Sequence, residues 1–255
     1  MTIETARTGP VLTVTNRDPA TRNAISWDFY EGFREICETA PADGTRAIVL
    51  TGAAGFFCSG GNVSGLKARS EADLPTRRAS VEKLHAMIRA MRACPCPIIA
   101  AVEGGAAGAG ASLALAADLM VAARGAYLSI AYVRIGLTPD GGATALLARA
   151  LPRALASEMV MTGDRIGMER LHALGLVNRL TDPGDALREA EEWAAMLAAG
   201  PPSALARGKA LLRASYGDGF DAQLDREAEA IAEALGGAEA REGIAAFLEK
   251  RKARW

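Results

Sequence analysis

The chain has 255 residues, half of them hydrophobic, enough to bury a large core as one domain or as a domain with a small appendage. Its 29 basic and 30 acidic side chains leave a formal charge of -1, which excludes a general field for nucleic acid or an anionic membrane and favours a small, locally guided ligand. The four cysteines (Cys37, Cys58, Cys94, Cys96) lack zinc-site spacing and distant histidine partners, so they read as reduced thiols and no metal is expected.

The first residues, MTIETARTGPVLTVTN, have neither the charged head nor the apolar stretch of a secretion signal, and no uninterrupted apolar run reaches membrane-spanning length. A cytoplasmic protein is expected. The runs VLTVT (11 to 15) and AIVLTG (47 to 52) predict strands, and SWDFYEGFREICETA between them predicts a helix. Residues 64 to 80, SGLKARSEADLPTRRAS, show no clear periodicity and read as a loop. PIIAAVEG (97 to 104) and LMVAA (119 to 123) are further β-prone runs with helix-like sequence between them, so the class is α/β. Runs without polar alternation suit strands covered on both faces.

After Gly136 the pattern becomes helical: TALLARALPRALASEMVMTG, then DALREAEEWAAMLAAG, then an alanine-rich tail, with Pro and Gly as stops. A boundary is expected near residue 200. Residues 1–199 form the core domain, and residues 200–255 form a helical region whose apolar stripes lack a core of their own. Such a region docks on something, and another subunit is the expected partner.

Two glycine-rich turns follow strands: FFCSGGNVSGL (56 to 66) and EGGAAGAGASLALAADL (103 to 119). The second opens an apolar helix, whose N-terminal N–H groups and dipole favour an oxyanion. Its order is G-x-x-G-x-G with no Gly-Lys-Ser/Thr, so it carries neither a dinucleotide fingerprint nor a phosphate loop. Close helix packing is the alternative reading of its glycines. Together the two turns can each aim one N–H at a single developing negative oxygen.

These two stretches resemble the signatures of the crotonase (enoyl-CoA hydratase/isomerase) superfamily. The resemblance extends through NRDPATRNAIS, PCPIIAAVEGGAAGAGASLALAADLMVAA, AYVRIGLTPDGG, MTGDRIGMERLHALGLVNRL and AFLEKRKARW, nearly the whole chain. It implies a ββα spiral with a C-terminal helical trimerisation region, hence a homotrimer or homohexamer. It also implies an acyl-CoA substrate whose thioester carbonyl is held by the N–H groups of Gly61 and Ala109, with Gly60 allowing close approach. Coenzyme A enters as part of the substrate, with no separate cofactor and no metal. Where the family usually has Asp, this chain has Asn62, for which a local turn role is expected.

By the same resemblance, the two glutamates of water-adding members fall at Ser112 and Tyr132, neither of which is a carboxylate base. Asp140, in GLTPDGG, matches the proton-shuttling aspartate of the isomerase branch and its ring-opening phenylacetate-pathway relatives. Its alternative reading is an N-cap for a helix beginning near Thr144. His85 lies at the edge of the stripe Val81, Leu84, Ile88 and Met91; in the family's aromatic-CoA dehalogenases a histidine occupies this place, and elsewhere it is a packing residue. Arg22, Asn23 and Ala24 resemble the segment against the CoA nucleotide, where Arg suits phosphate. Lys252, in the basic end Lys250–Lys252, reaches a neighbouring subunit's CoA or solvates a helix terminus. The expected function is double-bond isomerisation of an enoyl-CoA in fatty or aromatic acid degradation. Hydratase, 4-halobenzoyl-CoA dehalogenase-like hydrolase and non-catalytic CoA- or RNA-binding homologue are the alternatives, and the charge balance speaks against RNA.

Overall fold

The computed structural model describes residues 2–62 and 64–255. β1 (Ile3–Thr8) and β2 (Val11–Asn16) form an antiparallel pair, and β2 continues in parallel to β3 (Ala47–Gly52) and then β4 (Ile98–Val102). Directly after β4 the chain leaves this sheet as β5 (Gly105–Ala107), which begins a second one. β6 (Leu119–Ala123) returns to pair with β4, and β7 (Tyr127–Ser129) joins β5. β8 (Arg165–Gly167) completes the small sheet and β9 (Arg179–Thr181) closes the edge of the large one. The resulting orders, β1-β2-β3-β4-β6-β9 and β5-β7-β8, describe a chain that winds repeatedly from one sheet to the other.

Helix α1 (Trp27–Thr39) starts where Ser26 Oγ accepts the Phe29 N–H at 3.1 Å. Residues 64 to 80, expected as a loop, are instead helical over α2 (Ser64–Glu71) and the first turns of α3 (Leu74–Ala93). α2 has no apolar stripe to betray it, while α3 carries a local start signal: Asp73 accepts the Thr76 N–H at 2.9 Å and Pro75 occupies the first turn. Helix α4 (Ala109–Ala116) is buried along its whole length. α5 (Ala143–Ala150) and α6 (Arg153–Thr162) are split at Pro152, as the sequence predicts, and α7 (Met168–Ala173) is short.

The central strands are covered on both faces, which explains their unbroken apolar runs. Ile48 and Leu50 of β3 pack into the larger core with Phe29 and Phe33 of α1, Met87 and Met91 of α3 and Leu113 of α4. Ala47 and Val49 point the other way, onto Ala186, Ala190, Ala194 and Ala198 of α8 (Ala186–Ala198), an i, i+4 stripe narrow enough for close approach to the sheet.

α9 (Pro202–Ala214), α10 (Phe220–Leu235) and α11 (Ala238–Leu248) follow. Among the described residues they contribute nothing to either core cluster. α9 is tied to the body by Lys209, whose Nζ donates to Met91 O at 3.2 Å and Cys96 O at 3.1 Å and pairs with Asp118 at 2.6 Å. Phe220, Ile231, Leu235, Phe247 and Leu248 remain exposed. No helix among the described residues is long and apolar enough to cross a membrane.

Candidate active site

The first glycine turn is built where β3 ends. A Cβ on Gly52 would lie 2.1 Å from the carbonyl oxygens of Phe56 and Phe57, so the chain folds tightly back on itself. Residues 57 and 58 then run beside β5: the Phe57 N–H donates to Glu103 O at 2.9 Å and the Ala107 N–H to Cys58 O at 2.9 Å. Cys58 is fully buried under the turn, its sulfur accepting the Gly60 N–H at 3.4 Å. Burial pushes its thiol up to about 12, so it is a neutral filler and no nucleophile.

Gly60 adopts φ +104°, and a Cβ there would fall 2.8 Å from Ala107 O and 3.3 Å from Ala109 N. The fold itself demands glycine at this position. Gly61 differs: its φ is ordinary and a Cβ would meet nothing within 4 Å. No contact among the described residues requires its bareness, so the space beside it is open.

The second turn meets the first. Gly108, at φ +52°, caps α4 and accepts the Ala111 and Ser112 N–H groups at 2.9 and 3.2 Å, leaving Ala109 as the first helical residue. A Cβ on Gly110 would lie 2.5 Å from Cys58 O, so α4 can approach the first turn only with glycine there. Among the described residues no acceptor meets the N–H of Gly61 or of Ala109. The two turns meet where a Cβ on Gly60 would lie 3.3 Å from Ala109 N, so both unpaired donors, one at the positive end of a helix, belong to the same region.

A carboxylate faces the same region from the next segment. A 3-10 turn over Ala131–Ile135 buries Tyr132, whose hydroxyl donates to Asp140 Oδ1 at 2.5 Å. Ser112 Oγ, one turn along α4 from Ala109, donates to the Asp140 carbonyl at 2.9 Å and lies 3.2 Å from the Tyr132 hydroxyl. Gly141, at φ +61°, packs where a Cβ would be 2.7 Å from Ser112 Cβ, which brings the aspartate against α4. Asp140 caps no helix. The N-cap of α5 is Gly142 and the helix starts at Ala143, one residue before the sequence expectation.

Burial raises the Asp140 carboxyl above the ordinary carboxylate range; the Tyr132 hydrogen bond opposes this most, followed by the fields of His85 and Arg69. His85 is half-buried on α3, with Nδ1 3.5 Å from Glu82 Oε1, and so lies within electrostatic reach of Asp140 without bonding it. Two neighbours escaped the sequence reading. Tyr30, on the buried face of α1, is pushed up by burial and then by the field of the Asp140 charge. Arg69 sits on α2 with its guanidinium 5.6 Å from the Trp27 ring.

Arg22 and Asn23 both have left-handed backbones. The Arg22 carbonyl accepts the Ser59 N–H at 2.9 Å, and the Ile25 N–H donates to Gly60 O at 2.8 Å, so this segment borders the first glycine turn. Asn23 is fully buried and donates to Ala53 O at 2.8 Å and Phe56 O at 2.5 Å, while Ala24 is buried beside it. The Arg22 guanidinium lies 5.7 Å from the Phe56 ring and is free of carboxylate partners among the described residues. Lys252 follows α11 in a segment anchored by Arg251 to Glu242 at 2.6 Å; contacts within one chain do not bring it to this cluster.

A family model described as enoyl-CoA hydratase/isomerase matches residues 6–255. The chain belongs to the enoyl-CoA hydratase/isomerase family. It is 41% identical over 206 residues to a probable enoyl-CoA hydratase of Rhodobacter capsulatus, covering 81% of this chain and 79% of the relative. It is 33% identical to the 1,2-epoxyphenylacetyl-CoA isomerase of Escherichia coli, with 94% and 93% covered. A crystal structure of an enoyl-CoA hydratase from Polaromonas sp. JS666 superposes with TM-score 0.96 at 43% identity, over 99% and 98% of the two chains. The α/β architecture is therefore the crotonase-like fold of this family, and an acyl-CoA substrate is in keeping with it.

Because nothing among the described residues occupies the space of a Gly61 side chain, Gly61→Ala should hold unfolding free energy within about 1 kcal/mol of wild type. It should nevertheless lower acyl-CoA kcat/KM roughly 10²-fold by displacing the thioester. Gly60→Ala should damage stability and turnover together. Chemical denaturation and steady-state kinetics decide this, and undiminished turnover in Gly61→Ala contradicts the site.

Proposed function

We propose that the protein is an enoyl-CoA isomerase that shifts a double bond by a single-base proton shuttle. The observation that carries this reading is Asp140, a half-buried carboxylate held at Oδ1 by Tyr132 and joined through Ser112 to the helix that begins at Ala109. Asp140 takes a proton from C2 of a 3-enoyl-CoA, and the electron pair moves toward the thioester, whose oxygen receives the charge between Gly61 and Ala109. The same proton then goes to C4 as the pair forms the C2–C3 double bond. Nothing is oxidised or reduced and no water is consumed, so neither a metal nor a redox cofactor enters the scheme.

Hydroxyls at Ser112 and Tyr132 support isomerisation over hydration, since both are already engaged by Asp140 and neither is a carboxylate. The match to the Escherichia coli isomerase agrees with it. Hydration is the second reading, favoured by the hydratase names of the Rhodobacter and Polaromonas relatives. Arg22 and Ala24 receive the CoA nucleotide beside the first turn. His85 adds positive field to Asp140.

Asp140→Asn should abolish isomerisation of a 3-enoyl-CoA and exchange of its α-proton with deuterated solvent, a loss of at least about 10²–10⁴-fold. A carboxyl raised by burial favours the folded state only below its folded pKa, and that contribution is lost as pH rises through it. At neutral pH the variant should therefore be no less stable than wild type. Near-normal exchange in Asp140→Asn ends the assignment, and efficient hydration of crotonyl-CoA by wild type moves it to the second reading.

The exposed Phe220, Ile231, Leu235, Phe247 and Leu248 support a subunit interface formed by α9–α11, in a homotrimer or homohexamer in which Lys252 reaches the neighbour's CoA. Light scattering should give a mass of three or six chains. A stable, active monomer at micromolar concentration contradicts the shared site.

A further inference from the structure

The hydrogen bonds around Asp140 can be oriented by counting protons. A carboxylate carries none, so the 2.5 Å contact with Tyr132 is a donation by the phenol to Oδ1. The Asp140 backbone carbonyl can only accept, so at 2.9 Å it takes the single Ser112 proton. With both hydroxyl protons committed, the 3.2 Å contact between Ser112 Oγ and the Tyr132 hydroxyl carries no proton in this state. Tyr132 is 8% exposed and Ser112 is fully buried, so water does not compete for either bond. The carboxylate is held at one oxygen and its backbone is held one bond further back.

Resting on the isomerase reading above, we propose that Tyr132 is a positioning residue that reserves Oδ1 of Asp140, leaving Oδ2 as the atom that takes and returns the substrate proton. The Ser112 bond to the backbone sets the direction in which Oδ2 points. The arrangement has a consequence for the second half of the reaction. When Oδ2 gains a proton the charge on Oδ1 falls, and the phenol's bond to it weakens from charge-assisted to neutral. Tyr132 therefore favours the ionised carboxylate, holds Asp140 ready as a base despite burial, and makes its protonated form give the proton back. Neither hydroxyl has to turn during the cycle, and the proton leaves from the oxygen that received it, on one face of the acyl chain.

Tyr132→Phe keeps the ring and removes the one donor. In protein labelled with carbon-13 at the aspartate carboxyls, with the Asp140 signal assigned by its loss in Asp140→Asn, the titration midpoint of Asp140 should rise by about one unit in Tyr132→Phe. Ser112→Ala should raise it less. The acid limb of kcat for 3-enoyl-CoA isomerisation should move up by the same amount, with kcat at neutral pH reduced about 10-fold or more and KM changed less than about 2-fold. A role confined to packing lowers stability without moving either midpoint. An unmoved Asp140 titration in Tyr132→Phe overturns the proposal, and this readout requires no turnover. Loss of activity in Asp140→Asn alongside an unshifted Tyr132→Phe profile leaves the isomerase reading standing without it, whereas an active Asp140→Asn removes that reading while the titration still judges the hydrogen bond.

Discussion

The site depends on two backbone N–H groups, those of Gly61 and Ala109, that meet no acceptor among the described residues and sit in a rigid setting. A donor without a partner costs about 1–3 kcal/mol when buried, as Ala109 is, whereas Gly61 is only half-buried. Here they persist because neither can relax toward another partner. Gly60 is locked against Ala107 O, Gly110 against Cys58 O, and α4 is buried on every side, so a shift in either turn disturbs the core. The large core around Phe29, Phe33, Ile48, Leu50 and Leu113 offsets the deficit. A ligand oxygen entering between the two donors finds them already oriented, with little reorganisation left to do.

Electrostatics complements this geometry. In the proposed reaction a negative charge developing on the thioester would meet the positive end of α4, while Asp140, in a segment joined to that helix by Ser112, is pushed by burial toward accepting a proton. Tyr132, His85 and Arg69 pull the other way and hold back part of that rise. Opposed effects of this kind suit a group that must act as a base and then as an acid.

Much of this was legible in the sequence, for identifiable reasons. β3 and β4 announced themselves because strands buried on both faces need unbroken apolar runs, and the two glycine turns because close backbone approach leaves only glycine. β1 escaped because five of its six residues are exposed, and α2 because a helix without an apolar stripe has no period to read. Tyr30 resembled any other aromatic beside Phe29, Phe33 and Cys37; only its burial in the fold brings it into the field of Asp140. The link between Tyr132 and Asp140 depends on the 3-10 turn that carries the phenol inward, a conformation that residue types alone do not specify.

The central claim is that Gly61 and Ala109 jointly receive one oxygen. A crystal structure with a bound, non-reacting acyl-CoA tests it most directly. The thioester oxygen should lie within about 2.7–3.1 Å of both nitrogens, with the acyl chain passing Asp140 Oδ2. A thioester bound in full occupancy with its carbonyl directed away from these two N–H groups contradicts it.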